Sequence, residues 1–383
     1  YEGSSTDAYG AGSSGSGGRK ETSGTLPISV VQDDKLAQDA DDTAQLKEYL
    51  AKKHPVNEAR ALLNNAVVRD DSPEGDEIKE RVNVLANTTT SDDVLDQDRQ
   101  PPNTSTPAEA LAAIPENGTL AQSTHFPNVD PNDFLDQLRA RVAEAGHEGT
   151  NQGAGTNFCW AAAIAKQVYK EDPKGMVDAM KDLYENGTFV YDNNNGGMNV
   201  PEASQAARDA VGSDVFNDNQ DEEKGRTINE LDQMLFMTLA DHYEESLNIL
   251  NQDYDPGDEE DIWASGVLSK ATKIWEDFGF DVEVTGADVK VQGFTIVFNV
   301  FDVQEAMETN DVVLYVNSDK FKYDEGLNAT ATHYIHVVSI EQVGNEYKIT
   351  YWDYGKEQKP VTMDATQFSS AVYGMIEIPK TND

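Results

Sequence analysis

The order of its patterns narrows the fold of this chain most: helical periodicity comes first and strand periodicity follows. After Asp130, PNDFLDQLRARVAEAG sets Phe134, Leu138 and Val142 at helical spacing, and FCWAAAIAKQVYKED predicts a buried helix beginning near Cys159. Thr227 and Glu230 form a capping-box pattern ahead of LDQMLFMTLADHYEESLNIL, a long helix, and VLSKATKIWEDFGF is an amphipathic helix ending at Gly279. The text then changes. DVEVTG, GFTIVFNV, DVVLYVNS, HYIHVVSI, YKITYWD and YGMIEI alternate, or run short and apolar, as strands do. Helices followed by strands imply an α+β domain with a largely antiparallel sheet.

The part before residue 131 reads differently. Residues 1–25 are Gly/Ser-rich linker, and 33–66 carry short helical patterns (Leu46, Tyr49, Leu50) interrupted by Pro55. From 69 to 130 Asp, Asn, Thr, Pro and Ser dominate, which predicts an extended linker with one short helix at 107–114. The expected organisation is a largely irregular region over 1–130 and a globular domain over 131–383. With 70 Asp+Glu against 29 Lys+Arg the net charge is −41, which repels phosphate backbones and anionic lipid surfaces, so neither nucleic acid nor membrane is an expected partner. No run of about 18 apolar residues is present to span a bilayer. The first residues have neither the basic nor the apolar region of an intact signal peptide. Such acidity suits a very soluble secreted, marine or halophilic protein.

Chemistry concentrates at QGAGTNFCW, residues 152–160. Cys159 is the single cysteine, which excludes an intrachain disulfide and a multi-thiolate zinc site. At a helix N-terminus the backbone N–H groups and the helix dipole stabilise a thiolate, and a neighbouring imidazolium stabilises it further. Such a thiolate attacks a carbonyl carbon, and its own N–H together with a side-chain amide can hold the oxyanion. Gly153, Gly155 and Ala161 to Ala163 leave room for a substrate backbone.

The thiolate needs a histidine, and the histidine needs an orienting group. Of six histidines, His333 and His336 lie in an apolar strand, and Asp353 ends the next one. A hairpin turning at Val343-Gly344-Asn345-Glu346 brings Asp353 back beside His333. Strand alternation puts His333 and His336 on opposite faces, so one of them faces the cysteine; His333 is the preferred base and His336 the alternative. Trp160 and Trp352 are expected to pack around the site.

Gln152-Gly153 through Cys159-Trp160 resembles the nucleophile motif of papain-like cysteine peptidases. The stretch from His333 to Asp353, with its VGNE turn and YWD end, is similar to the histidine-to-asparagine segment of staphopains, secreted bacterial members of that clan, and FDVQEAMETNDVVLYVNS to the element before it. The likeness covers about 150–380, and only some forty of those residues carry specific motifs. It implies a papain-like two-lobed fold, with a helical lobe headed by Cys159 and a sheet lobe carrying His333 and Asp353. It further implies Gln152 as oxyanion donor and a thiol protease acting on protein or peptide. The chain departs from the family in three places. Gln152 lies seven residues before the cysteine rather than the usual six, aspartate stands where papain has asparagine, and 171–260 is longer and more acidic than the family pattern. A secreted protease or delivered effector toxin, monomeric, with 1–130 as a pro-region or a delivery segment, is the resulting expectation. Transglutaminase, glutamine deamidase or acyltransferase activity is the alternative use of the same triad, and a non-catalytic binding module the third. No cofactor and no metal is expected: the acidic stretches 191–197 and 251–261 lack the EF-hand's glycine and glutamate spacing and read as solvated surface.

Overall fold

The computed structural model describes residues 102–143, 149–217, 227–243, 254–260, 264, 266–286, 298–321 and 333–381. The Gly/Ser-rich start, the helical patterns at 33–66 and most of the GFTIVFNV strand lie outside them. The described chain is α+β. Its helices of seven residues or more are α1 (Pro107–Ala113), α2 (Pro131–Ala143), α3 (Cys159–Glu171), α4 (Pro173–Asn186), α5 (Glu230–His242), α6 (Leu268–Asp277), α7 (Val300–Thr309) and α8 (Ala365–Ala371). Strands β1 (Phe189–Tyr191) and β2 (Met198–Val200) form a small hairpin. The main sheet contains β3 (Glu283–Gly286), β4 (Asn310–Val316), β5 (His333–Val343), β6 (Glu346–Asp353), β7 (Lys356–Glu357), β8 (Val361–Asp364) and β9 (Val372–Pro379). It runs β3-β9-β4-β5-β6-β7 with β8 also on β6, and every pairing is antiparallel.

The sheet separates two apolar clusters. On one face Val313, Tyr315, Tyr334, Trp352 and Ile376 meet the helices α1 to α6. On the other, Leu314, Ile335, Ile349 and Tyr351 meet Val300 and Val303 of α7 and Phe368 of α8. Helix α3 is the axis of the first cluster. Its Ala-rich sequence favours helix and lets neighbours approach closely, and twelve of its thirteen residues are buried.

Three local readings differ from the sequence. The start of α5 is capped by Asn229, whose side chain accepts from the Asp232 N–H, rather than by the Thr227–Glu230 box. GFTIVFNV ends inside helical territory, because Asn299 caps α7 and Val300 is its first residue. Residues 102–130, read as the end of a linker, lie against the helical layer: α1 contacts α2 and α4, and Ala110, Ile114, Phe126 and Val129 belong to the core. Polar text hid this because a handful of apolar side chains suffices to seat a segment on a preformed surface. Fully buried Tyr184 serves it twice, donating its hydroxyl to Val129 O at 3.2 Å and offering its backbone carbonyl to the Ser123 hydroxyl at 2.5 Å.

Candidate active site

The turn before α3 is built from glycine. Gly153 and Gly155 adopt φ of +80° and +68°, a region that side chains disfavour, and a Cβ at Gly153 would crowd Ile228 at 3.0 Å. The Thr156 hydroxyl closes the turn by donating to Gln152 O at 2.6 Å. Phe158, the residue before the helix, provides no side-chain cap, and the positive end of the helix dipole lies at the thiol. Trp160 is fully buried and donates Nε1–H to Ala264 O at 2.8 Å, while Asn157 N–H donates to Glu259 O at 2.7 Å. Glu259 and Ala264 are thereby pinned to the cysteine turn. The carboxylates here are used locally: Glu259 accepts from Tyr254 and from Gly257 N–H, and Asp258 accepts from Asp255 N–H.

The second half of the site comes from the β5–β6 hairpin. It turns at Gly344-Asn345, with Val343 opposite Glu346 and Gly344 at φ +68°. His333 opens β5 and Asp353 closes β6, and His333 Nε2 lies 2.9 Å from Asp353 Oδ1. That oxygen is close but off the line of a straight hydrogen bond, so the contact is first of all an ion pair. The Cys159 side chain hydrogen-bonds the same imidazole. Burial works against a charged ring here. The Asp353 carboxylate and the Cys159 contact outweigh it and raise His333 from 6.5 to about 10. The ring is therefore an imidazolium at neutral pH, and since Asp353 occupies Nε2, Nδ1 is the nitrogen left for sulfur.

Of the residues chosen from the sequence, Cys159, His333, Asp353 and Gln152 come together. Gln152 points one amide N–H at Asp353 Oδ1, 3.2 Å away. His336 stands apart from the cysteine: its Nε2 is 2.8 Å from Ala163 O, one turn further along α3, and its ring meets Trp352 edge-on at 5.7 Å. Tyr354 escaped the sequence reading. It stacks on His333 at 5.9 Å and holds φ +48°, the left-handed region, as the only non-glycine to do so among the described residues. Its signal was the Asp-Tyr-Gly run after a strand, which is turn chemistry. Lys166, two turns along α3 from Cys159, places Nζ 5.5 Å over the Trp352 ring, and burial together with neighbouring Lys170 lowers it to about 8.

The acidic stretch 191–197 is the β1–β2 turn, where Asn193 Oδ1 accepts from Asn195 and Gly197 N–H. Among the described residues no group of three or more His, Cys, Asp or Glu side chains is arranged to hold a metal ion, and no helix is long and apolar enough to cross a membrane. Compared with models of known families the chain matches none, and no curated protein matches its sequence.

Proposed function

We propose that this chain is a cysteine peptidase of papain-like architecture and mechanism, with the helical part headed by Cys159 on one side of the substrate cleft and the sheet part on the other. The observation that carries this reading is the meeting at one point of a thiol heading a helix, a histidine held protonated, and a buried carboxylate on that histidine. In this reading the Cys159 thiolate attacks the peptide carbonyl and a tetrahedral adduct forms. His333 gives its proton to the leaving amine, leaving an acyl-enzyme. Water then loses a proton to neutral His333 and attacks the thioester; the adduct collapses, releases the carboxylic acid product and restores the thiolate beside a protonated His333. The Cys159 N–H and the second amide N–H of Gln152 are the oxyanion donors, and Asp353 fixes the ring's orientation and charge. The acidity of the chain fits a secreted or delivered protein, a protease or toxin whose pro-region or delivery segment lies within residues 1–130.

The test is the intact mass after treatment with a papain-directed epoxysuccinyl inhibitor, alongside cleavage of a denatured protein substrate. One adduct is expected, absent in Cys159→Ala, strongly slowed in His333→Gln and retained in His336→Gln. No adduct, or an adduct that survives Cys159→Ala, rejects the reading. Ammonia release from a protein substrate without backbone cleavage reassigns the triad to side-chain amide chemistry.

A further inference from the structure

Arg141 of α2 and Asp232 of α5 form a bidentate ion pair at 2.7 and 2.8 Å, and both are almost completely buried. Neither was expected from its sequence context. Three further hydrogen bonds of the pair go to a single short segment. Arg141 Nη1 donates to Thr150 Oγ1 at 2.7 Å and Nη2 to Gly149 O at 3.1 Å, while Asp232 Oδ2 accepts from Asn151 N–H at 3.0 Å. Three successive residues, 149 to 151, are thus fixed to the helical layer.

That segment in turn holds the end of β6, residue by residue. Gly149 N–H donates to Gly355 O at 2.8 Å, Asn151 Nδ2 donates to Tyr354 O at 3.3 Å, and Gln152 Nε2 donates to Asp353 Oδ1 at 3.2 Å. Gly355, at φ +75°, packs its Cα against the Gly149 backbone so closely that a Cβ would crowd it. The turn being held is the one that contains the left-handed Tyr354, a conformation that persists only where the surroundings over-determine it. Gln358 supplies the opposing hold, its Nε2 donating to Asp353 O at 2.6 Å.

We infer that Arg141 and Asp232 are a positioning pair for the candidate active site: they anchor residues 149–152, which set the Asp353-Tyr354-Gly355 turn and hence the carboxylate and aromatic ring against His333. This rests on the Cys159–His333 reading above. The alternative role, plain stability, makes a different prediction, because a buried ion pair replaced by apolar residues of similar volume is often neutral or stabilising. Only an anchoring role requires the hydrogen bonds to residues 149–151. The groups facing the pair are Thr150, the Gly149 and Asn151 backbone and the Tyr169 ring, 5.5 Å from the guanidinium.

The experiment measures Cys159 alkylation by iodoacetamide from pH 5 to 10, with a melting temperature for each protein, on wild type, Arg141→Met/Asp232→Leu and Asn151→Ala. The expected result is a double variant that melts within a few degrees of wild type yet alkylates at least about tenfold more slowly at pH 6. Asn151→Ala, which removes the side-chain links to Tyr354 O and Gly153 N–H and leaves the ion pair in place, shifts the same way by a smaller factor, and carries the test alone if the double variant does not fold. A wild-type profile in folded variants overturns the positioning role while leaving the peptidase reading intact. An ordinary-thiol profile in wild type itself overturns both.

Discussion

Replacing Asp353 with Asn removes one charge from the site and little else, since the amide has the carboxylate's shape. At 2.9 Å and an effective dielectric of about 20, a pair of unit charges attracts by roughly 6 kcal/mol. The rise of His333 from 6.5 to about 10 corresponds to about 5 kcal/mol, what remains after burial has acted against the charge. Burial is the largest influence and lowers the ring; of the groups that raise it, Asp353 acts more strongly than Cys159, so the carboxylate is the main source of the imidazolium's stability. In Asp353→Asn burial is opposed only by the Cys159 contact, and His333 is expected to titrate near or below 6.5. If it titrates about one unit below neutrality, only roughly a tenth of the protein carries the imidazolium at pH 7. Alkylation of Cys159 at pH 7 should then fall about tenfold. Stability offers a second readout with a definite sign. A group whose folded value is raised contributes fully below its unfolded 6.5, and the contribution is lost as pH climbs towards about 10. The melting temperature of wild type should therefore decline across that window, and that of Asp353→Asn should not. Alkylation of the variant within twofold of wild type at pH 7 would refute the assignment of Asp353 as the source of the ring's charge.

Other consequences can be checked with the same assays. Removing residues 1–130 also removes Ile114, Phe126 and Val129 from the core, roughly 5–9 kcal/mol at 1.5–3 kcal/mol per side chain, comparable to the whole stability of a domain; a chain starting at 131 should fail to melt cooperatively, and a cooperative transition like that of the full chain would refute the seating of 102–130 in the core. Gly266→Ala places a Cβ inside the van der Waals envelope of the Trp160 ring, so it should cost about 1–3 kcal/mol by thermal unfolding and slow Cys159 labelling by displacing its neighbour. Tyr354→Gly relieves the left-handed strain and removes the ring from His333; stability should change by about 1 kcal/mol or less while labelling slows, and unchanged labelling would show that the stacked ring has no part in the site.

How much of this was legible varies with the range of the forces involved. The β5–β6 hairpin could be read because a Gly-Asn turn between alternating segments is a local signal, and the turn fixes register. Cys159 at a helix head could be read because glycines precede an Ala-rich run. Helix α4 carried a local signal too, Asp172 as cap with Pro173 in the first turn, although the surrounding acidic text obscured it. The Arg141–Asp232 anchor was not legible: two charged residues on amphipathic helices look like surface until tertiary contact buries them. Nor was the role of 102–130, whose few apolar residues acquire meaning only against the Tyr184 surface.

The hairpin also shows why His333, not His336, meets the carboxylate. From the turn, β5 and β6 pair as Val343 with Glu346, Ile340 with Ile349 and Ser339 with Thr350. Continued without interruption, that register would set His336 opposite Asp353, and directly opposed residues share a face. A bulge intervenes between Val337 and Ser339, leaving Val338 as the extra residue, 46% exposed. Beyond it the pairs are Val337 with Tyr351 and His336 with Trp352, so Asp353 advances one place, to the parity of Ile335 and His333. His336 is left facing α3 beside Trp352, where it serves the helix through Ala163 O. The two histidines do have opposite parity, as alternation requires. What decides between them is a single inserted residue five places from His333, which moves the charge to the histidine at the strand's first position, where its ring reaches Cys159.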